Sequence, residues 1–239
     1  MDPPLHPDAN ILAEHPSGIL ALEKPAGILT HPNRPGIDTN SLLAAGYDQK
    51  TETYTWDGGQ LILNNRLDSP TSGIVIACLD PKLAKALNQL FRDKQVHKDY
   101  LALVKGIPST KRGDWKDRLE RSQQDGKLRV SKGRGGFPSR TTFERLQTTN
   151  SPFPLALLKL SPETGRTHQL RVQAALHRHP IAGDRTYGDF SFNRQFQKAT
   201  KAKRLFLHAH RIEFPVPGGG GAFSAESPAP DDFTVQFNP

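Results

Sequence analysis

The segment Asn65-Arg66-Leu67-Asp68-Ser69-Pro70-Thr71-Ser72-Gly73 sets one carboxylate beside a guanidinium in a turn-rich loop, just past the apolar run Leu61-Ile62-Leu63. A carboxylate that is rigidly presented yet open to a ligand can serve as nucleophile or as general base, provided a cation keeps it ionised and aimed. Taken alone, a loop aspartate is more often explained by an Asx-turn onto nearby amides. A second cluster, Thr164-Gly165-Arg166-Thr167-His168-Gln169-Leu170-Arg171, is too dense in hydrogen-bond donors to be core. If it turns helical from about Thr167, His168 and Arg171 share one face while Leu170 and Ala174 face the core.

The elements around these clusters follow from apolar periodicity. Leu61 to Leu63 leads into the Asp68 loop and Ile74 to Cys78 leads out, which predicts two strands sharing a core face. Ile19-Leu20-Ala21-Leu22 reads as a buried strand stopped by Lys24-Pro25-Ala26-Gly27. Asp80-Pro81 supplies an N-cap and a proline at N1, and Leu83, Leu87, Leu90 and Phe91 recur at helical spacing. Strands are expected over Tyr100 to Val104, Arg140 to Leu146 and Leu155 to Leu160. From 107 to 140 the chain is polar and basic, carrying Lys111, Arg112, Lys116, Arg118, Arg121, Lys127, Arg129, Lys132, Arg134 and Arg140. With Gly133-Arg134-Gly135-Gly136 inside it, this reads either as a partly mobile insertion that closes over a polyanion or as a solvated hairpin. Gly218 to Gly221 is expected as a flexible tip, with no strand-to-helix pattern around it for phosphate binding.

A chain of 239 residues can bury a substantial core as one domain. Its 32 Lys and Arg against 24 Asp and Glu give a net charge of +8, which suits a nucleic acid or simply aids solubility. Cys78 is the sole cysteine, so no internal disulfide and no cysteine-based zinc site can form. His208 and His210 alternate on a strand and His177 and His179 flank a helix end, but no acid pair completes a ligand set, and no metal is expected. The N-terminus lacks the apolar core of a signal peptide, and no stretch reaches membrane-span length. A cytoplasmic protein is the expectation. Residues 1–10 are expected to be a disordered tail and 11–239 the catalytic domain.

The two clusters together resemble the signature of RNA pseudouridine synthases of the RluA type. Glu23-Lys24-Pro25-Ala26-Gly27 with His31-Pro32, and Lys98-Asp99-Tyr100-Leu101-Ala102-Leu103-Val104-Lys105-Gly106, are similar to that family's first and tyrosine-bearing motifs. His179-Pro180-Ile181-Ala182-Gly183-Asp184, Tyr187-Gly188 and Leu205-Phe206-Leu207-His208-Ala209 are similar to its late ones, in family order, so the match runs from about residue 11 to 237. The resemblance implies an α/β (α+β) fold, a central mixed, largely antiparallel sheet flanked by helices. No N-terminal S4 domain is recognised. The Pro-Thr-Ser-Gly after the aspartate, with Gly188-Asp189 and Asn193-Arg194, looks like the TruC branch, which modifies transfer RNA.

The implied reaction isomerises a uridine in tRNA or 23S rRNA to pseudouridine without a cofactor. The implied partner is RNA, acted on by a monomer with no membrane involvement. Asp68 is the implied catalytic carboxylate, as nucleophile or as base. Arg171 pairs with it, with Arg166 a competitor for that role. Tyr100 stacks on the flipped base and has a part in proton transfer. Arg66 fills the space that the base vacates, and Arg166, His168, Asn65 and Lys98 join it in contacting RNA. Asn65 stands where the family usually has His. That departure is the one hint of a noncatalytic RNA-binding protein or RNA chaperone on the same fold, and a third reading is a hydrolase pairing Asp68 with a histidine.

Overall fold

The computed structural model describes residues 2–34, 40–124, 127–150, 152–234 and 237. The chain forms two compact units, Met1–Lys98 with Ala209–Pro228 and Asp99–His208 with Ala229–Pro239. In the first, β1 (Asn10–His15), β2 (Ile19–Lys24), β3 (Gly46–Asp48), β4 (Thr53–Trp56), β5 (Gly59–Leu63) and β6 (Ser72–Cys78) precede α1 (Pro81–Arg92). In the second, β7 (His97–Lys105), β8 (Arg112–Gln124), β9 (Lys127–Lys132), β10 (Phe137–Thr149) and β11 (Leu155–Pro162) precede α2 (Gln169–Leu176) and α3 (Phe190–Thr200). The hairpin of β12 (Leu207–Pro215) and β13 (Ala222–Glu226) returns to the first unit, and α4 (Asp231–Thr234) to the second. The class is α+β, with largely antiparallel ladders and few helices.

β6 organises the first unit. All seven of its residues are uncharged and buried, so both faces pack. It pairs antiparallel with β2 from Ile19↔Cys78 to Lys24↔Gly73, and with β5 at Ile62↔Cys78 and Leu63↔Ala77. The expected strand pair around the Asp68 loop is therefore present. Burial pushes the Cys78 thiol up to about 12, which makes it an inert core group. α1 starts as expected: Asp80 accepts from the Leu83 N–H at 2.8 Å, Pro81 is at the first position, and Ala84 and Leu87 are buried. The residues expected as a loose tail are tied down in part. His6 N–H donates to the Leu42 carbonyl at 2.8 Å, and Leu5 bridges Leu43.

The second unit has strand order β7-β11-β10-β8-β9. Its core is one buried cluster that holds Leu101 and Leu103 on one face of the sheet, Leu158 and Leu160 on the other, Leu170 and Ala174 of α2, and Phe192 and Phe196 of α3. α3 was not anticipated; it is capped by Asp189, which accepts from the Phe192 N–H. Within 107–140 the described residues pair β8 with β9 as a hairpin and β8 with β10, while 125 and 126 lie outside them. Trp115, Asp117 and Leu119 alternate inward along β8. The Gly133 to Gly136 turn is closely packed, since a Cβ on Gly136 would lie 2.6 Å from the Leu119 backbone.

Gly73 is the tightest point of β6. Its φ is +108°, and a Cβ there would lie 2.2 Å from the Ala209 carbonyl oxygen of β12. Gly73→Ala is expected to cost about 2 kcal/mol or more, combining left-handed strain with a backbone clash. Urea unfolding should show a lower midpoint at unchanged slope. A shift under about 0.5 kcal/mol would contradict this packing.

Candidate active site

The Asp68 loop is pinned by its backbone on both sides of the carboxylate. Before it, the buried Thr30 hydroxyl accepts from the Leu67 N–H at 3.1 Å and donates to the Leu67 carbonyl at 2.8 Å. After it, the Ser69 carbonyl accepts from the Gly27 N–H at 2.8 Å and from Lys24 Nζ at 3.1 Å. Lys24 has 0% exposure, and its ammonium also donates to the carbonyls of Pro25 at 2.9 Å and Ile28 at 2.8 Å. The turn itself closes through the Asp68 carbonyl, which accepts from the Thr71 N–H at 2.9 Å. The first motif and the Asp68 loop are thus one hydrogen-bonded object. Its staples, Lys24 and Thr30, were not recognised in the sequence, where Lys24 reads as a strand stop.

Three other predicted residues lie in this unit. Asn65 Oδ1 accepts from the Ile76 N–H at 2.6 Å, so its side chain fastens the loop to β6. Its neighbour Asn64 donates to the Ala84 carbonyl and to Asn88 Oδ1, both at 2.9 Å, which joins β5 to α1. Lys98 is drawn inward, with its ammonium 5.6 Å from the Phe91 ring centroid and its pKa lowered by burial. Arg66 is exposed. Its Nη1 donates to His31 Nε2 at 3.1 Å, with Glu52 at 3.8 Å. Because His31 Nε2 accepts there, the ring proton sits on Nδ1, which donates to the Pro32 carbonyl at 3.0 Å. The His31 ring stacks on Tyr47 at 4.9 Å.

The second unit holds Tyr100, Arg166, His168 and Arg171. Tyr100 lies on β7 opposite Leu160 and packs against the core. α2 begins at Gln169, after His168 in a left-handed conformation at φ 53°, with Leu170 and Ala174 buried as expected. Arg171 is 6% exposed. It makes a bidentate pair with Asp184, Nε to Oδ2 at 2.8 Å and Nη2 to Oδ1 at 2.9 Å, and lies 5.2 Å from the Tyr187 ring centroid. Asp184 also accepts from the N–H groups of Thr186 at 2.8 Å and Tyr187 at 3.0 Å. Burial opposes its ionisation, but Arg171 and these amides prevail and hold its carboxyl below the usual range. The Tyr187 hydroxyl in turn bonds His168 Nδ1 at 2.7 Å and accepts from the Val130 N–H. Asp184 and Tyr187 stood in a recognised motif without a role, because nothing local joins them to Arg171.

Gln169 fixes the basic cluster. Its Oε1 accepts from Thr164 Oγ1 at 2.7 Å and the Arg166 N–H at 3.1 Å, while Nε2 donates to the Arg140 carbonyl and Thr141 Oγ1. Arg166 is exposed, and its guanidinium lies 5.1 Å from the Phe137 ring centroid. Arg121 Nη2 donates to Thr167 Oγ1. The histidines weighed as ligands have other partners: His177 stacks on Trp115 and bonds Asp117 at 3.0 Å, and His210 bonds the Ser227 carbonyl. Among the described residues no group of three or more His, Cys, Asp or Glu could hold a metal ion.

The Arg171–Asp184 pair makes a pH prediction. A depressed carboxylate pKa contributes stability that is fully present above the unfolded value of about 3.9 and lost as pH falls below it. Asp184→Asn should cost about 3–5 kcal/mol near neutral pH, because it removes the bidentate charge partner of a buried guanidinium. The gap between wild type and variant, followed by urea unfolding, should narrow below about pH 4. A gap that stays constant down to pH 3 would refute the assignment.

The matched protein-family model is that of RNA pseudouridylate synthase, over residues 18–176. The chain is 34% identical over 210 residues to ribosomal large subunit pseudouridine synthase C of Escherichia coli O157:H7, covering 84% of this chain and 62% of that protein. It is 36% identical over 195 residues to the protein of the same name from Haemophilus ducreyi, covering 78% of this chain and 57% of the relative. It thus spans about three fifths of the length of these curated relatives. A solved structure, human RNA pseudouridylate synthase domain containing 1, aligns with TM-score 0.72 at 25% identity, over 99% of this chain and 89% of that one. Asp68, Tyr100 and Arg171 all fall within the matched residues, and the chain belongs to the RNA pseudouridylate synthase family, of the RluA type that its motifs resemble.

Proposed function

We propose that this chain isomerises a uridine within RNA to pseudouridine, using Asp68 as its catalytic carboxylate. The observation that carries the reading is the Asp68 loop, braced by Thr30 before the carboxylate and by Lys24 and Gly27 after it, inside the segment that matches the family. A scaffold that over-determines one backbone segment suits a group that must meet a substrate atom within a fraction of an ångström. The reaction breaks the N1–C1′ bond, turns the uracil and forms a C5–C1′ bond, and C5 then loses its proton. Reactant and product are isomers, so no redox partner or energy source enters.

Asp68 acts at the ribose, as nucleophile at C1′ or as base. Arg171 is the cation assigned to keep it ionised, and its own orientation is set by Asp184. Tyr100 supplies a stacking face and a hydroxyl for proton transfer. Arg66 takes the place of the extruded base, and Arg166 and His168 contact RNA, whereas Lys98, whose ammonium lies over the Phe91 ring, is not carried over as an RNA contact. The names of the curated relatives favour large-subunit ribosomal RNA, that is 23S rRNA, over transfer RNA as target. No helix among the described residues is long and apolar enough to cross a membrane, and a cytoplasmic monomer is the proposed working form. The hint toward a noncatalytic RNA-binding protein rested on Asn65. Its bond to Ile76 gives that residue a scaffold duty, which supports the catalytic reading over that rival.

The test is tritium release from total RNA labelled at uridine C5, taken from cells lacking this gene. Wild type should release tritium and Asp68→Asn should not. Release by neither protein, with salt-sensitive RNA binding intact, would favour the noncatalytic reading. Tyr100→Phe keeps the ring and loses the hydroxyl. It should bind RNA like wild type and release tritium about 100-fold more slowly, as loss of general acid–base assistance requires. Unchanged release by Tyr100→Phe would confine Tyr100 to stacking.

A further inference from the structure

We infer that Phe137 is a stacking platform for an unpaired base of the RNA, at a nucleotide other than the one modified. The inference rests on the RNA-directed reading above and adds a contact that the family motifs do not contain. Phe137 is 64% exposed, the most exposed of the large apolar side chains described. It opens β10 beside the closely packed glycine turn, and it opposes Leu119 of β8, which in turn opposes Lys132 of β9. Directly opposed residues share a sheet face, so Phe137, Leu119 and Lys132 form one row, with Arg121 and Val130 in the next. α2 covers part of this face: Leu119 and Val130 are buried against Val172. Phe137 lies beyond that cover.

The surroundings of the ring select the occupant. Arg166 stands over it at 5.1 Å, Lys132 is in its row, and Arg121 reaches the same region through Thr167. Asp117 is the one carboxylate on this face among the described residues of β8, β9 and β10, and it is buried against Gln173 and His177. The remaining acids of these strands, Asp114, Glu120 and Glu144, have the opposite parity. An exposed aromatic ring among cations, with the acids turned away, suits a polyanion that carries flat bases. Such a partner stacks on the ring and places its phosphates on the guanidinium and ammonium groups. An apolar protein partner would use the ring but leave these cations without counter-charges.

The test is fluorescence anisotropy of the full chain with a fluorescein-labelled twelve-nucleotide oligouridylate and with an abasic ribose-phosphate oligomer of equal length and charge. Wild type should prefer the base-bearing oligomer. Phe137→Ala should weaken that binding by about ten-fold, within the range of one lost base stack, and leave abasic binding unchanged. Its salt dependence should match wild type, since no charge is removed, whereas Arg166→Gln should flatten the salt slope. Phe137→Trp should restore the preference for bases. Wild-type affinity of Phe137→Ala for oligouridylate, or equal loss with both oligomers, would overturn the platform. Tritium release from labelled total RNA, measured in parallel, separates the two readings. Release by wild type without any base preference removes the platform alone, and a protein that neither binds nor releases removes both.

Discussion

The Lys24 ammonium is wholly buried, and the carbonyls of Pro25, Ile28 and Ser69 that receive it help to offset the cost of a charge in that position. This interaction sets the geometry of the first unit around it. Lys24 is the last residue of β2 and stands opposite Gly73 of β6. A slip of one residue would turn Lys24 to the other face and remove its hydrogen bonds to three carbonyls, so the apolar pattern of β2 and the ammonium specify the same register. The opposing position must then be glycine, since β12 approaches it more closely than any side chain allows. Strand register, the close approach of β12 and the placement of Ser69 beside Asp68 are consequences of one arrangement.

The second unit positions its helix by a related device. Six of the eight residues of α2, from Gln169 to Ala174, are buried, and they include Gln169, Arg171 and Gln173. A helix buried on nearly every side has no single apolar stripe to orient it. Hydrogen bonds do so instead. Gln173 accepts from Thr141 Oγ1 and donates to Asp117 and the Trp115 carbonyl, Gln169 reaches Thr141 and Arg140, and Arg171 takes Asp184. In a low-dielectric interior such a network is stabilising when its members are satisfied and costly when one is removed. The rotation of α2 about its axis, and with it the direction of Arg171, follows from that requirement.

The parts of this fold that are legible in the sequence are those governed by apolar periodicity. β2, β5, β6, α1, β7, β10 and β11 could each be read from a run or stripe of apolar residues. β1, β3 and β4 could not: β3 and β4 are only three and four residues long, and β1 leaves Asn10, Ile11 and Glu14 exposed, so none of them carries a buried apolar run. α3 did leave a signal, an Asp189 cap with Phe192 and Phe196 four apart, but a polar segment around it hid the stripe. At the site, the strings that hold Asp68 and Arg171 stand out as clusters of reactive types. Their supports do not. Lys24 bonds backbone carbonyls, which every residue possesses, so no partner identity marks it. Asp184 lies in a turn, where no helical or strand spacing ties it to Arg171. Asn65 and Lys98 look like surface donors in sequence, yet one holds β6 and the other lies over Phe91.

A contrast in restraint follows from the same geometry. Asp68 is bracketed by short hydrogen bonds from a buried hydroxyl and a buried ammonium, both shielded from water. Arg66, two residues earlier, is held at its exposed tip by a neutral imidazole and by a carboxylate at 3.8 Å, contacts of the kind worth at most about 1 kcal/mol. The two are nonetheless linked. His31 stacks on Tyr47, Tyr47 leans on Tyr54, and the Tyr54 hydroxyl donates to the carbonyl of Thr30, whose side chain grips Leu67. The aromatic stack thus gives Arg66 a defined resting place without locking it there. The roles proposed for the two residues require this division, since a carboxylate acting at a ribose carbon must not move, whereas an arginine that replaces an extruded base must leave its place at little cost.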